Sequence, residues 1–159
     1  MIGSITWWTL VEKIFWASIA SLGFAVLFNV PVRTLLACAV CGGVAYATRT
    51  LLAVSAGASV EAATLAGATL AGFAAVVFSR PLHVPAPVLV MPGVIPLIPG
   101  ALAFRTMIDL LDLSAAPSAD ETLVAIAAVN VFKTALIIGA IAAGVAIPSL
   151  IFRRRHPMT

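Results

Sequence analysis

Charged side chains are scarce in this chain. Only 9% of its 159 residues are Asp, Glu, Lys or Arg, against about 25% in a soluble domain. A water-soluble fold is excluded, because too few polar groups exist to cover its surface. A nucleic-acid interface is excluded with it, since a basic surface needs a soluble domain to carry it. Catalytic constellations are missing as well. The sequence holds no Ser/His/Asp set, no H-E-x-x-H, no phosphate-cradling glycine loop and no ATP motif. It therefore reads as no enzyme, with no cofactor and no metal site, and any solute it moves must be driven by an ion gradient or by the solute's own gradient. Cysteine is limited to Cys38 and Cys41. Their C-x-x-C spacing invites a redox or metal reading. Both sit in an apolar run with no second ligand pair, so small buried residues on one helix face explain them. A signal peptide is not expected either. No basic region precedes the first apolar stretch, and Glu12-Lys13 interrupts it.

What the chain does have is apolar length. Hydrophobic residues make up 62%, and a spanning helix needs about 20 of them in succession. Five segments qualify, so the expected fold is an all-α integral membrane protein of five transmembrane helices. They run roughly 10–28, 34–54, 60–78, 84–111 and 122–152, in a single membrane domain over 1–159. Trp7, Trp8 and Trp16 suit an interfacial aromatic belt at the start of the first. Asn29-Val-Pro-Val-Arg33 makes a turn, and Ser79-Arg80-Pro81 is expected to close the third span. Ala63, Gly67 and Ala71, four apart, suit close helix packing in a membrane. Ser118-Ala-Asp-Glu121 fits a capping box for the last span, with a bend expected near Gly144 or Pro148.

The fourth segment is unusual. Met91-Pro-Gly-Val-Ile-Pro-Leu-Ile-Pro-Gly100 is apolar yet carries three prolines and two Pro-Gly pairs. Each proline removes a backbone donor and clashes with the preceding turn, so a break is expected over 92–100. Irregular backbone at membrane depth survives only against protein or a water-filled cavity. The stretch is expected to line such a cavity, with Arg105 supplying charge. A helix starting near Gly100 presents free amides and a positive dipole end, which suits an anion. Arg105 adds a planar donor for carboxylate. The candidate substrate-binding residues are Arg105, Lys133, Asn130, Gly100, Pro99, Gly93 and Thr106. Asn130 and Lys133 share a helix face. Lys133 is expected either to touch substrate or to pair with a carboxylate such as Asp109. Arg49 is expected to snorkel at the outer surface, and His83 to be a loop residue.

Arg33, Arg80 and Arg153–Arg155 fall on one side under this assignment. The positive-inside rule puts that side and the C terminus in the cytoplasm, with the N terminus outside.

Gly23-Phe24-Ala25, Phe28-Asn29-Val30-Pro31-Val32-Arg33, Cys38-Ala39 and Pro92-Gly93-Val94-Ile95-Pro96-Leu97-Ile98-Pro99-Gly100 together resemble the threonine/serine exporter family, in particular its small YjjB-type subunit. The resemblance covers nearly the whole chain. It implies one five-span half of a two-component exporter in the bacterial inner membrane, working with a larger YjjP-like membrane subunit and moving small carboxylates, succinate or threonine and serine. A higher oligomer is compatible with it. The alternative is a structural or assembly subunit that packs against a larger partner without contacting substrate.

Overall fold

The computed structural model describes residues 7–115 and 121–153, which are helical apart from short connections and contain no strand. The helices are α1 (Trp7–Leu27), α2 (Leu35–Ser55), α3 (Val60–Leu82), α4 (Ala86–Val94), α5 (Gly100–Ala115) and α6 (Glu121–Arg153). Four of them, α1, α2, α3 and α6, are individually long and apolar enough to cross a membrane. The residues 86–97 and 100–114 form a fifth, bent unit with a 59° angle at the break. The chain is an all-α membrane protein. Trp7, Trp8 and Trp16 all face outward. Of the expected capping box only Glu121 belongs to the described residues; Ser118 and Asp120 lie outside them, as do Arg154 and Arg155.

The connections follow from local chemistry. Asn29 takes a left-handed conformation, φ 56°, after α1, a geometry that asparagine tolerates better than most residues. Ser59 caps α3 by accepting from the Ala62 amide at 3.3 Å. α3 continues past Ser79-Arg80-Pro81, where closure was expected, to Leu82. His83 then ends it in a left-handed conformation, and the Val84 amide donates back to the Ser79 carbonyl at 3.3 Å. That returning bond satisfies a carbonyl that the helix end leaves free.

Small residues set the packing. α3 lies at the centre, with α2 on one side and α6 on another. Gly67, from the row Ala63–Gly67–Ala71, lies against the Ala45 carbonyl of α2. A Cβ on Gly144 of α6 would stand 2.8 Å from the Leu65 carbonyl and 2.7 Å from Ala68 Cβ, so only glycine permits this approach. Pro148 sits against Gly72, and Phe152 against Phe73 with ring centroids 6.2 Å apart. These contacts advance along both helices in the same sense, so α3 and α6 run parallel. The chain must therefore return from one end of the bundle to the other between Leu82 and Glu121. α4 alone, nine residues long and about 13 Å at 1.5 Å per residue, is too short; α4 and α5 make the passage together. α6 remains one helix to Arg153 with Pro148 inside it.

The break is narrower than the 92–100 expected. Pro92 and Gly93 belong to α4, and Ile95–Leu97 is a 3-10 turn. Only Ile98 and Pro99 leave the helical path, with Ile98 extended at φ −63°, ψ 127°. A residue before proline is driven to that region. Pro92 stays helical because its surroundings supply what it removes.

Candidate functional site at the helix break

A stripe along α2 faces the interrupted segment. Proline at 92 has no N–H to give the Val88 carbonyl four residues back. The Cys38 Sγ lies 4.0 Å from that carbonyl and donates to it weakly. Gly93 packs so tightly against α2 that a Cβ on it would stand 2.8 Å from Cys41 Cβ. Further along, the Leu97 carbonyl would accept from the Ala101 amide in an unbroken helix. The turn at Ile98–Pro99 denies it that donor. Arg49 Nη1 donates to it instead, at 3.3 Å. Arg49 is half-buried. It does not snorkel at the surface as the sequence suggested; it reaches inward to the break. Cys38 and Arg49 are eleven residues apart, about three helical turns, and that spacing puts them on one face.

The break closes on itself through three further bonds. The Ile98 amide donates to Ile95 O at 3.0 Å, Gly100 to Ile98 O at 2.9 Å, and Ala103 to Pro99 O at 2.9 Å. The last opens α5. Pro99 is half-buried and Gly100 exposed, so the start of α5 is accessible. Gly93, by contrast, is buried against α2, and its role here is close packing.

The other candidates gather on α5 and α6. Beyond α4 and the break, α5 packs chiefly against α6. Thr106 is buried, and its hydroxyl donates back to the Leu102 carbonyl at 2.8 Å. Asn130 Nδ2 donates to Asp109 Oδ2 at 2.9 Å, which ties the two helices together. Thr134 Oγ1 donates to the Asn130 carbonyl at 2.8 Å. The pairing of Lys133 with Asp109 is not formed; Asp109 takes the Asn130 amide, because Asn130 faces α5 while Lys133, one step round the helix, is exposed. Arg105 is also exposed, and among the described residues neither cation has a carboxylate within ion-pair distance. The structure thus brings Pro99 and Gly100 together at the break, and Arg105, Thr106, Asn130 and Lys133 along one helical pair.

The cavity differs from the one expected. A hollow of about 650 Å³ lies between α3, α4 and α6, and Met91, Val94, Ile95 and Ile98 do line it. Its walls are almost wholly apolar, and Arg105 is not among them. Of the candidate residues, Pro99, Gly100, Arg105, Thr106, Asn130 and Lys133 all lie outside its lining.

Sequence reasoning missed the role of Arg49 and gave Asp109 Lys133 as its partner in place of Asn130. Helical register with Cys38 was the available signal for Arg49. For Asp109 the signal was Asn130, a neutral donor at a position otherwise suited to an apolar side chain. A family model described as threonine/serine exporter matches residues 13–151. No solved structure matches the chain.

Proposed function

Since this chain belongs to the threonine/serine exporter family, we propose that it is the small subunit of a two-component secondary transporter exporting small carboxylates. One observation carries the reading. Two cations in membrane-crossing helices, Arg105 and Lys133, have no carboxylate within ion-pair distance among the described residues, on helices joined by the Asp109–Asn130 bond. A basic residue at a helix centre costs about 2.5–3.5 kcal/mol, and an anionic solute offsets that cost. The accessible helix start at Gly100 adds a positive dipole end. Broken helices aimed at anionic substrates recur in transporters. Two cations favour a dicarboxylate such as succinate over threonine or serine.

In this reading a larger YjjP-like membrane subunit covers the exposed α5–α6 surface and completes the site. Substrate approaches between the two chains. The free Ala101 and Leu102 amides at the start of α5 and Arg105 hold one carboxylate, and Lys133, with Asn130 nearby, holds the second charge or polar end. The arginine-rich end carrying Arg33, Arg80 and Arg153 faces the cytoplasm of a bacterial cell, and the N terminus lies outside. Efflux of succinate and threonine from loaded cells, at matched protein levels, tests the assignment. Arg105→Ala and Lys133→Ala are each expected to reduce efflux of the transported solute at least tenfold. Full efflux of every solute in both variants would remove the site.

A second reading, a subunit that assembles the transporter without touching substrate, draws on the α2 stripe, whose Cys38 and Arg49 occupy the inner side of the broken segment with protein. It predicts unchanged efflux in the same two variants and loss of the partner when the exposed α5 face is altered.

A further inference from the structure

We infer that the hollow between α4 and α6 is a binding site for an anionic phospholipid, with an acyl chain in the hollow and the headgroup held by Arg80 and Arg33. The hollow has about 650 Å³, and its lining offers carbon almost throughout. Such walls select for nothing polar. Met91, Ile98 and Ile138 on its rim are each about half exposed, so it opens sideways toward lipid. A helix, 10–12 Å across with its side chains, would displace roughly twice that volume over three turns. A single acyl chain enters whole.

Charge fixes which lipid. One end of the hollow is formed by Phe28, Ala86, Pro148 and Ser149. Phe152, one turn beyond Pro148, carries the Arg80 guanidinium over its ring at 5.6 Å. The turn that follows Phe28 carries exposed Arg33, and α6 ends at Arg153. The carboxylates among the described residues are Glu12, Glu61, Asp109, Asp112 and Glu121. All lie toward the opposite ends of their helices or beyond the break. The mouth therefore lies at the end of the bundle that carries Arg80 and Arg33 and, among the described residues, no carboxylate, and basic pockets between spanning helices are suited to anionic headgroups. Phe152 holds Arg80 in place by a cation–π contact, leaving its N–H groups for phosphate oxygens.

The test uses the full chain, purified in mild detergent with any subunit that accompanies it and then stripped of lipid. Phosphatidylglycerol, phosphatidylcholine with the same acyl chains, and glycerophosphoglycerol are titrated in, and native mass spectrometry reads bound lipid. Phosphatidylglycerol is expected to bind at least fivefold tighter than phosphatidylcholine, and the headgroup alone not at all. Arg80→Gln should weaken phosphatidylglycerol about fivefold, the ~1 kcal/mol that one cation near an anionic headgroup is worth, and leave phosphatidylcholine unchanged. Ala146→Phe, or Ala142→Phe on the exposed lip, should weaken both lipids. A photo-crosslinker at Ala142 should capture lipid in native membranes. Equal affinity for the two lipids, no effect of Arg80→Gln, or capture of a protein chain by the crosslinker would overturn the inference, the last by showing that a partner helix fills the hollow.

Discussion

Replacing Arg49 by methionine removes one hydrogen bond and one charge while keeping most of the side-chain volume. The lost bond runs to the Leu97 carbonyl at 3.3 Å. Hydrogen bonds to charged groups contribute about 1.5–3 kcal/mol. This one is longer than the usual charge-assisted 2.7–2.9 Å, so the lower figure, about 1.5 kcal/mol, applies. Removing a cation from membrane depth opposes the loss, by up to about 2.5–3.5 kcal/mol at a helix centre and less toward the surface. Total stability is therefore expected to change little. The effect falls on the break itself. With its donor gone, the Leu97 carbonyl no longer ties the Ile98–Pro99 turn to α2, and an equilibrium between held and released α5 shifts about tenfold. Spin labels at exposed Leu51 and Met107 read this as a distance distribution. Wild type should give one narrow peak. Arg49→Met should broaden it and lower efflux about tenfold, and Arg49→Lys, which keeps charge and reach, should recover part of both. A narrow, unshifted distribution together with full efflux in Arg49→Met would refute the role assigned to Arg49.

The same account makes three further predictions. Asn130→Ala should loosen α5 from α6 and reduce efflux, whereas the exchange Asp109→Asn with Asn130→Asp keeps a donor facing an acceptor and should restore both, checked by the same label pair extended to α6. Gly144→Leu should prevent α6 from seating on α3, because the Leu65 carbonyl stands 2.8 Å from the new Cβ; gel filtration in mild detergent should show aggregation, and Gly144→Ala an intermediate cost of about 1–3 kcal/mol in thermal midpoint. Cys38→Ala takes away the donor that stands in for the Pro92 amide and leaves a space where the buried Sγ was, so the thermal midpoint should fall by the equivalent of about 1–3 kcal/mol, while efflux by the wild type, whose Cys38 and Cys41 are buried, should be indifferent to thiol oxidants.

Much of the fold was legible because membranes impose simple rules. Lack of charge and runs of about 20 apolar residues mark α1, α2, α3 and α6 without ambiguity. The row Ala63–Gly67–Ala71 announced a close helix contact, and Gly67 makes one with α2. The break was legible in kind and less so in extent. Three prolines suggested a break over 92–100, nine residues, but proline costs a helix only what its surroundings fail to return. At Pro92 the neighbouring helix supplies Cys38 and a glycine-to-cysteine contact, so α4 continues. At Pro99 the residue before it turns extended and the helix ends. That distinction depends on α2, and no local pattern in 91–100 contains it. The site was legible in the same partial way. Arg105 and Lys133 stood out as charges in apolar helices. Their separation from the apolar hollow, and the choice of Asn130 over Lys133 by Asp109, depend on the angle between α5 and α6. The 59° bend between α4 and α5 turns α5 away from the line of α4, and the neighbour it then meets is not written in 91–100.

The central claim is that the start of α5, with Arg105 and Lys133, forms part of a carboxylate path shared with a second chain. Single cysteines at Gly100 and Ala101, in a background with Cys38 and Cys41 replaced by alanine, can be labelled with a membrane-impermeant maleimide in the assembled complex. The account predicts labelling at both positions and its slowing, at least fivefold, when saturating succinate or threonine is added. Cysteines that resist the reagent in the assembled complex, or that react equally fast with and without every carboxylate tried, would contradict it.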